Sequence, residues 1–394
     1  MYLLVCNAGS TSLKLKLYAM PEERVLAECR MDRIGDAAGG SFSYSDCWGA
    51  VKQCVVNIQH YEQGLHLFME QLGMERLHRI EAVGFKSVLS RGHTGVHRID
   101  AAVLEGMREY LSVAPVHNRC YLEVIGVFQK LLPKVPLIGA FETAFHQTLA
   151  PEAYTYALPY AWQEQYGVRR YGYHGASHSY VAEVLKEKLG NAYRAVSCHL
   201  GGSSSLAAIV DGKGIDTSFG LSLQAGVPQS NRCGDMDPFI IFHMIQKEGW
   251  TPEQVKEALE SQSGLKGISG LSGDMRDLEQ ATAQGNERAK LAIEIYCREI
   301  ARYIGGYTAL MGGLDAIAFT GGVGENSNLV RSKVLSYFAY LGATQPEKPE
   351  KGKTCEVSGV ESKVKVFVIP ANEELGVARK TYAAVMKSQK GINE

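Results

Sequence analysis

Four polar side chains crowd the start of the chain. They are Asn7, Ser10, Ser12 and Lys14, in Leu3-Leu-Val-Cys-Asn7-Ala-Gly9-Ser10-Thr-Ser12-Leu-Lys14-Leu-Lys-Leu17. An amide and two hydroxyls can hold phosphate oxygens, and a lysine supplies a compact counter-charge. In strict alternation Ser10, Ser12 and Lys14 share one face, as a common ligand requires. A solvated sheet face fits the same alternation. The pattern recurs as Ala195-Val-Ser-Cys198-His199-Leu-Gly201-Gly202-Ser203-Ser-Ser205-Leu-Ala-Ala-Ile209. Each copy reads as an apolar strand, a Gly/Ser turn and an alternating strand. Glycine turns let backbone N–H groups approach an anion. Either turn alone also serves as a plain connection. Together they point to a phosphate-gripping cleft between two related domains.

Further polar clusters suit phosphoryl transfer. Glu142 follows the strand Val135–Ala140, and Glu373 and Glu374 follow the strand Val364–Ile369. Carboxylates at strand ends are natural Mg²⁺ partners, usually through water, and equally natural helix-start charges. His174 lies between glycines in Tyr171-Gly-Tyr173-His174-Gly175-Ala-Ser177-His178, where a ligand can approach closely, whereas His178 reads as a hydrogen-bonded structural residue. Arg232 precedes Cys-Gly234-Asp235; its planar guanidinium can bridge donor and acceptor oxygens, or lock the turn against an aspartate. Gly270-Leu-Ser-Gly273-Asp274-Met-Arg276-Asp277 is placed to hold a base and ribose.

These side chains need a scaffold, and strand-like runs alternating with helical ones predict an α/β class. Strands are expected at 2–6, 12–18, 81–84, 136–140, 195–199, 205–210, 315–319 and 364–369. Helical spacing marks 251–259, which starts Thr-Pro, and 294–304, and a final helix is expected over 373–386. The strand ending at Phe319 runs into Thr320-Gly321-Gly322-Val-Gly324-Glu-Asn326, read as a glycine loop before a helix from about Ser327, a favourable phosphate or nucleotide site. The Lys-, Glu- and Pro-rich stretch 345–359 reads as a surface loop.

Bulk properties narrow the class. At 394 residues the chain is long enough for two domains with separate cores. A formal net charge of −1 gives no basic field for nucleic acid. No apolar run reaches the 18 to 20 or so residues of a membrane helix, and no basic leader precedes the first strand. The nine cysteines are scattered without Cys-x-x-Cys spacing, and Cys6, Cys198 and Cys297 read as core residues. A cytoplasmic protein is the expectation.

In this order the clusters resemble the acetokinase family, the acyl-phosphate-forming branch of the sugar kinase, Hsp70 and actin superfamily. The matching segments are Asn7–Lys14, Ala114–Asn118, Phe141–His146, Arg169–His178, His199–Gly202, Asp216–Ser218, Arg232–Pro238, Ser272–Leu278, Phe319–Asn326 and Pro370–Leu375, nearly the whole chain. The resemblance implies a two-domain duplicated ribonuclease H-like (actin-like ATPase) fold with an interdomain active-site cleft. The first domain would be 1–150 joined by the C-terminal helix, about 373–394, and the nucleotide-binding domain 151–372. It further implies a homodimer using ATP/ADP and Mg²⁺ (or Mn²⁺) to phosphorylate a small carboxylate. Asn7, Ser10, Ser12 and Lys14 would face phosphates and metal, with Glu373 helping Asn7 hold Mg²⁺. His174 and Arg232 would stabilise the transferred group beside His117. His199, Gly201 and Gly202 would approach nucleotide phosphates, Asp274 and Arg276 the adenosine, and Gly321, Gly322, Gly324 and Asn326 would complete that pocket.

The departures gather at the carboxylate end. Lys86 stands where the family carries a substrate-facing arginine and cannot make a planar bidentate contact. Arg91 is the nearest replacement along the chain. Glu142 replaces an aspartate and carries one more methylene. Val116, Tyr173 and Leu223 alter the methyl pocket, and glycine replaces asparagine in His199-Leu-Gly-Gly202. Acetate is the default acid. Propionate, butyrate or another acid, a different phosphoryl donor such as pyrophosphate, or a catalytically impaired nucleotide-binding homologue are the alternatives.

Overall fold

The computed structural model describes residues 1–9, 11–36, 39–344 and 349–390, so Ser10 lies outside the described residues. The chain divides into two compact units, Met1–Gln147 with Asn372–Glu394, and Thr148–Ala371.

The first unit is built on β1 (Tyr2–Gly9), β2 (Ser12–Ala19), β3 (Arg24–Asp32), β4 (Gly40–Asp46), β5 (Val51–Val56), β6 (Ile80–Phe85), β7 (Val96–Arg98) and β8 (Leu137–Ala140), in the sheet order β5-β4-β3-β2-β1-β6-β8-β7. Strands β1 to β5 form an antiparallel meander; β6 and β8 then run parallel to β1. Leu13, Leu15 and Leu17 are wholly buried while Ser12, Lys14 and Lys16 turn to the other, half-open face. In the hairpin register Asn7 lies opposite Lys14 and Gly9 opposite Ser12, which puts each pair on one face. The helix Glu373–Lys390 packs on β1, β6 and β8, and the helix Pro115–Leu131 packs on β1. Gly84 allows that C-terminal approach: a Cβ there would meet Thr381 Oγ1 at 2.2 Å.

The second unit holds β9 (Arg194–His199), β10 (Ser205–Val210), β11 (Lys213–Thr217), β12 (Ala316–Thr320), β13 (Cys355–Glu356) and β14 (Lys365–Val368), in the order β11-β10-β9-β12-β14-β13. Its plan repeats the first. An antiparallel triple is followed by two parallel strands and one antiparallel edge, so β9 corresponds to β1 and β12 to β6. The sequence echo is thus a structural duplication. Beneath the sheet the helix Glu287–Leu310 buries Ala289, Ala292, Ile293, Tyr296, Cys297, Ile300 and Ile304, an apolar stripe at three- and four-residue spacing.

All eight expected strands are present, each within a residue or three of its expected ends. The reading passed over β3, β4, β5, β7, β11 and β13, several of which show water a full face. One local expectation is corrected and two are sharpened. Residues 321–326 form a short helix directly after β12, not an open loop, and Ser327 caps the next helix, Asn328–Ser336, by accepting from Val330 N at 3.0 Å. The Thr-Pro helix is Pro252–Glu257, closed by a Thr251–Gln254 capping box and continued by a π-turn through Gln262. In the expected loop 345–359, residues 345–348 lie outside the described residues; the remainder supplies β13 and the buried Val357.

Candidate functional site

In the first unit the ends of β1 and β6, the segment after β8 and the start of the C-terminal helix bring five side chains together. Lys86 follows β6 directly, its N–H donating to Cys6 O at 3.2 Å. Lys86 Nζ donates to Glu373 Oε2 at 2.8 Å and lies 3.8 Å from Glu142 Oε2. Asn7 Nδ2 donates to Glu374 Oε1 at 3.1 Å. Burial by itself would lower the Lys86 pKa, but the Glu142, Glu373 and Glu374 carboxylates outweigh it and hold the ammonium above its ordinary value. Lys86 is therefore a fixed cation at neutral pH. Asn118, buried on the helix Pro115–Leu131, fastens the segment after β6 by donating to Leu89 O and Met107 O at 3.0 and 2.8 Å. His117, one residue earlier, is half-buried on the first turn.

The expected residues Asn7, Lys14, Lys86, Glu142 and Glu373 all belong to this unit, with Lys14 opposite Asn7 in the hairpin register. It placed the metal on Asn7 with Glu373; the structure joins Asn7 to Glu374 and gives Glu373 to Lys86. Arg91 is no replacement for Lys86, because its guanidinium pairs with Glu109 at 2.9 Å on the surface. Among the described residues no group of three or more His, Cys, Asp or Glu is arranged to hold a metal unaided. The donor set still fits Mg²⁺, a hard cation usually held by one or two carboxylates plus substrate oxygens.

The second unit carries a histidine and serine network. His174 sits in the left-handed region at φ 55° and immediately precedes the helix Gly175–Leu189. Its Nδ1 bonds Ser205 Oγ at 2.9 Å, and its ring lies 4.2 Å from that of His199. His199 Nδ1 meets Ser177 Oγ at 2.8 Å. His178 is fully buried between Ser197 and Ser205, the structural role expected of it. The partners Ser197 on β9 and Ser205 on β10 carry no signal in the sequence, each being a lone serine in a strand of otherwise mostly apolar residues. Arg232 Nη1 donates to Ser203 Oγ at 3.2 Å and Gln229 Oε1 at 3.1 Å. Burial holds its pKa below the usual arginine value, with Glu260 acting against it. The alternative turn lock does not form: Asp235 accepts from Gly226 N and from the Tyr303 hydroxyl.

Beside this network a cavity of about 770 Å³ is lined by Gly201, Gly202, Asp274, Arg276, Gly322 and Asn326, with neighbours on these segments and with Ser230, Leu265 and Lys351 from others. Its volume lies within the range of small-ligand sites. Six of the expected nucleotide residues therefore share one wall system. Gly321 and Gly324 do not line it; they pack beneath. A Cβ on Gly321, at φ +78°, would meet Leu200 O at 2.7 Å, and Gly324 N donates to Leu200 O at 3.1 Å. Asp274 caps the helix Met275–Ala283 through Arg276 N at 2.9 Å and forms a two-pronged pair with the Arg276 guanidinium at 2.5 and 3.0 Å. That pair holds the Asp274 carboxyl below the usual carboxylate range.

Known proteins resemble this chain over nearly its whole length. An acetate kinase of Carboxydothermus hydrogenoformans is 43% identical over 98% of this chain and 100% of its own. The crystal structure of Porphyromonas gingivalis acetate kinase matches at TM-score 0.86 and 34% identity, covering 98% of this chain and 99% of that one. A propionate kinase from Francisella tularensis matches at TM-score 0.88 and 32% identity, over 97% and 99%. With the family model matching residues 2–379 on top of these full-length relatives, the chain belongs to the acetokinase family.

Proposed function

We propose that this protein transfers the terminal phosphoryl group of ATP reversibly to a short-chain carboxylate, acetate by default, giving an acyl phosphate and ADP. The observation that carries this reading is the glycine-walled cavity of about 770 Å³, built on loops at the ends of the paired strands β9 and β12 and on the cap Asp274. A carboxylate is already ionised at pH 7, its pKa being about 4, so no general base is needed. One carboxylate oxygen forms a bond to the terminal phosphorus as the bond to the ADP oxygen breaks, and that electron pair leaves with ADP. The protein's task is to hold anions and neutralise charge. Arg232, fixed by Ser203 and Gln229, and His174, fixed by Ser205, serve the transferred group. Lys86 serves the acid. Asn7, Glu373 and Glu374 are the oxygen donors for Mg²⁺, which when bound would offset phosphate charge.

The same transfer to propionate or another acid is a second reading, favoured by Lys86, whose ammonium is already held by Glu373 at 2.8 Å. A hydroxylamine trap with MgATP and a panel of short carboxylates tests both. Acetyl hydroxamate supports the first reading and a shifted acid preference the second; nucleotide binding without turnover on any acid overturns both. A homodimer fits the helix Phe239–Gln246, which buries none of its residues and exposes Phe239, Ile240 and Phe242. A reducing, cytoplasmic setting fits nine free thiols. Among the described residues no helix is long and apolar enough to cross a membrane.

A further inference from the structure

A buried guanidinium lies behind the cavity of the second unit, and the transfer chemistry makes no use of it. Arg331, on the helix Asn328–Ser336, is 1% exposed. Burial lowers its pKa from the ordinary arginine value, with Glu279 as the opposing charge. Its Nη1 donates to Gly324 O at 2.7 Å, while Nε has no hydrogen-bond partner among the described residues. Burying a cation on one carbonyl is unfavourable, so the reason for it has to lie in what that carbonyl belongs to.

Gly324 is part of Gly321–Asn326, a single short helix with three glycines and hence little intrinsic stability. Gly322, Val323 and Asn326 of this helix form one wall of the cavity. Val323 N and Gly324 N tie the helix to Leu200 O at 2.8 and 3.1 Å. Arg331 secures a carbonyl at its other side, where positive charge is favourable. A second link runs through Glu279, which lines the same cavity and accepts the Ser327 hydroxyl, and Ser327 both lines the cavity and caps the helix that carries Arg331. The helix that carries Arg331 is thus tied to one wall of the pocket by the guanidinium and to another through Ser327.

We propose that Arg331 is a positioning residue for the nucleotide, holding the Gly322–Asn326 wall in its binding arrangement through the Gly324 carbonyl. This rests on the cavity being the nucleotide site. The test titrates Arg331→Lys with MgADP by calorimetry and measures KM for ATP and for the carboxylate separately. Lysine keeps the charge but lacks the planar fork. ADP binding is expected to weaken at least about tenfold and the KM for ATP to rise similarly, while the KM for the carboxylate stays within about twofold. Unchanged ADP affinity in the folded variant, or an equal rise in both KM values, overturns the proposal. Should Arg331→Lys fail to fold, Arg331→Gln, which keeps an N–H donor for the Gly324 carbonyl without the charge, is expected to weaken ADP binding at least about threefold with the carboxylate KM unchanged, and no weakening overturns it. Wild-type protein that binds no ADP rejects the nucleotide reading itself; wild type and variant binding ADP equally rejects only the role of Arg331.

Discussion

Lys86 shows what the identity of one residue can decide. Its ammonium faces Glu142, Glu373 and Glu374, so removing it leaves three carboxylates close together. Lys86→Met is expected to destabilise the first unit by about 3–5 kcal/mol, the usual result of breaking a buried pair from one side. Thermal melts check this. The sign for the wild type follows from its raised pKa. The Lys86 contribution is complete below the unfolded value of about 10.4 and is lost only as pH rises through the higher folded value. A wild-type stability curve that sags between pH 6 and 9 through this lysine would contradict that. Arg232→Ala is expected to cut turnover by at least about 10²-fold with the melting temperature little changed, since its bonds are to Ser203 and Gln229 in one loop cluster. Near-normal turnover would remove Arg232 from its role. The residue types at both positions were legible in the sequence. Their partners were not, because Glu373 and Lys86 are 287 positions apart and only the fold brings them to 2.8 Å.

Elements set those partners. The C-terminal helix carries Glu373 and Glu374 and reaches β6 only because Gly84 has no side chain. Gly84→Ala is expected to cost about 1–3 kcal/mol by overpacking against Thr381 and to lower turnover by displacing the helix start. Thr381 Oγ1 is buried and has no hydrogen-bond partner among the described residues, so Thr381→Ala should restore much of the loss in the Gly84→Ala background. A purely additive double variant, measured by denaturant unfolding, would show that the contact is not the cause. The glycine's place in an apolar strand was readable; the helix that needs it, nearly 300 residues later, was not. Strands β3 to β5 of the meander escape the sequence pattern for a different physical reason. In β4 only Phe42 and Tyr44 are buried core side chains, alternating with serines, and β5 buries none of its residues. One-sided and edge strands carry half the apolar signal of a fully buried strand such as β12, every residue of which is buried. The glycine helix Gly321–Asn326 was read as a loop because its composition opposes helix formation, and tertiary bonds from Leu200 and Arg331 override that preference.

For the molecule as a whole, duplication explains why so much of the plan was visible: one strand order serves twice, and each copy places its Gly/Ser turn after the first strand of the unit's sheet. The two copies have since diverged in chemistry. The first presents Lys86 among carboxylates, and the second a glycine-walled cavity beside an Arg and a His held by hydroxyls. What neither copy explains from within is the helix Phe239–Gln246, whose sequence Phe-Ile-Ile-Phe-His-Met-Ile-Gln is strongly apolar yet buries no residue within its own unit. Phe239 is 72% exposed and Phe242 50% exposed. Leaving such a stripe in water is unfavourable by about 25 cal/mol for each Å² of apolar surface, and in a homodimer the same stripe on a second copy covers it. Phe239→Glu with Phe242→Glu is therefore expected to halve the mass seen by light scattering while leaving the melting transition cooperative, since neither side chain contributes to a core. A wild-type monomer, or a variant that keeps the dimer mass, would place the self-association surface elsewhere or remove it.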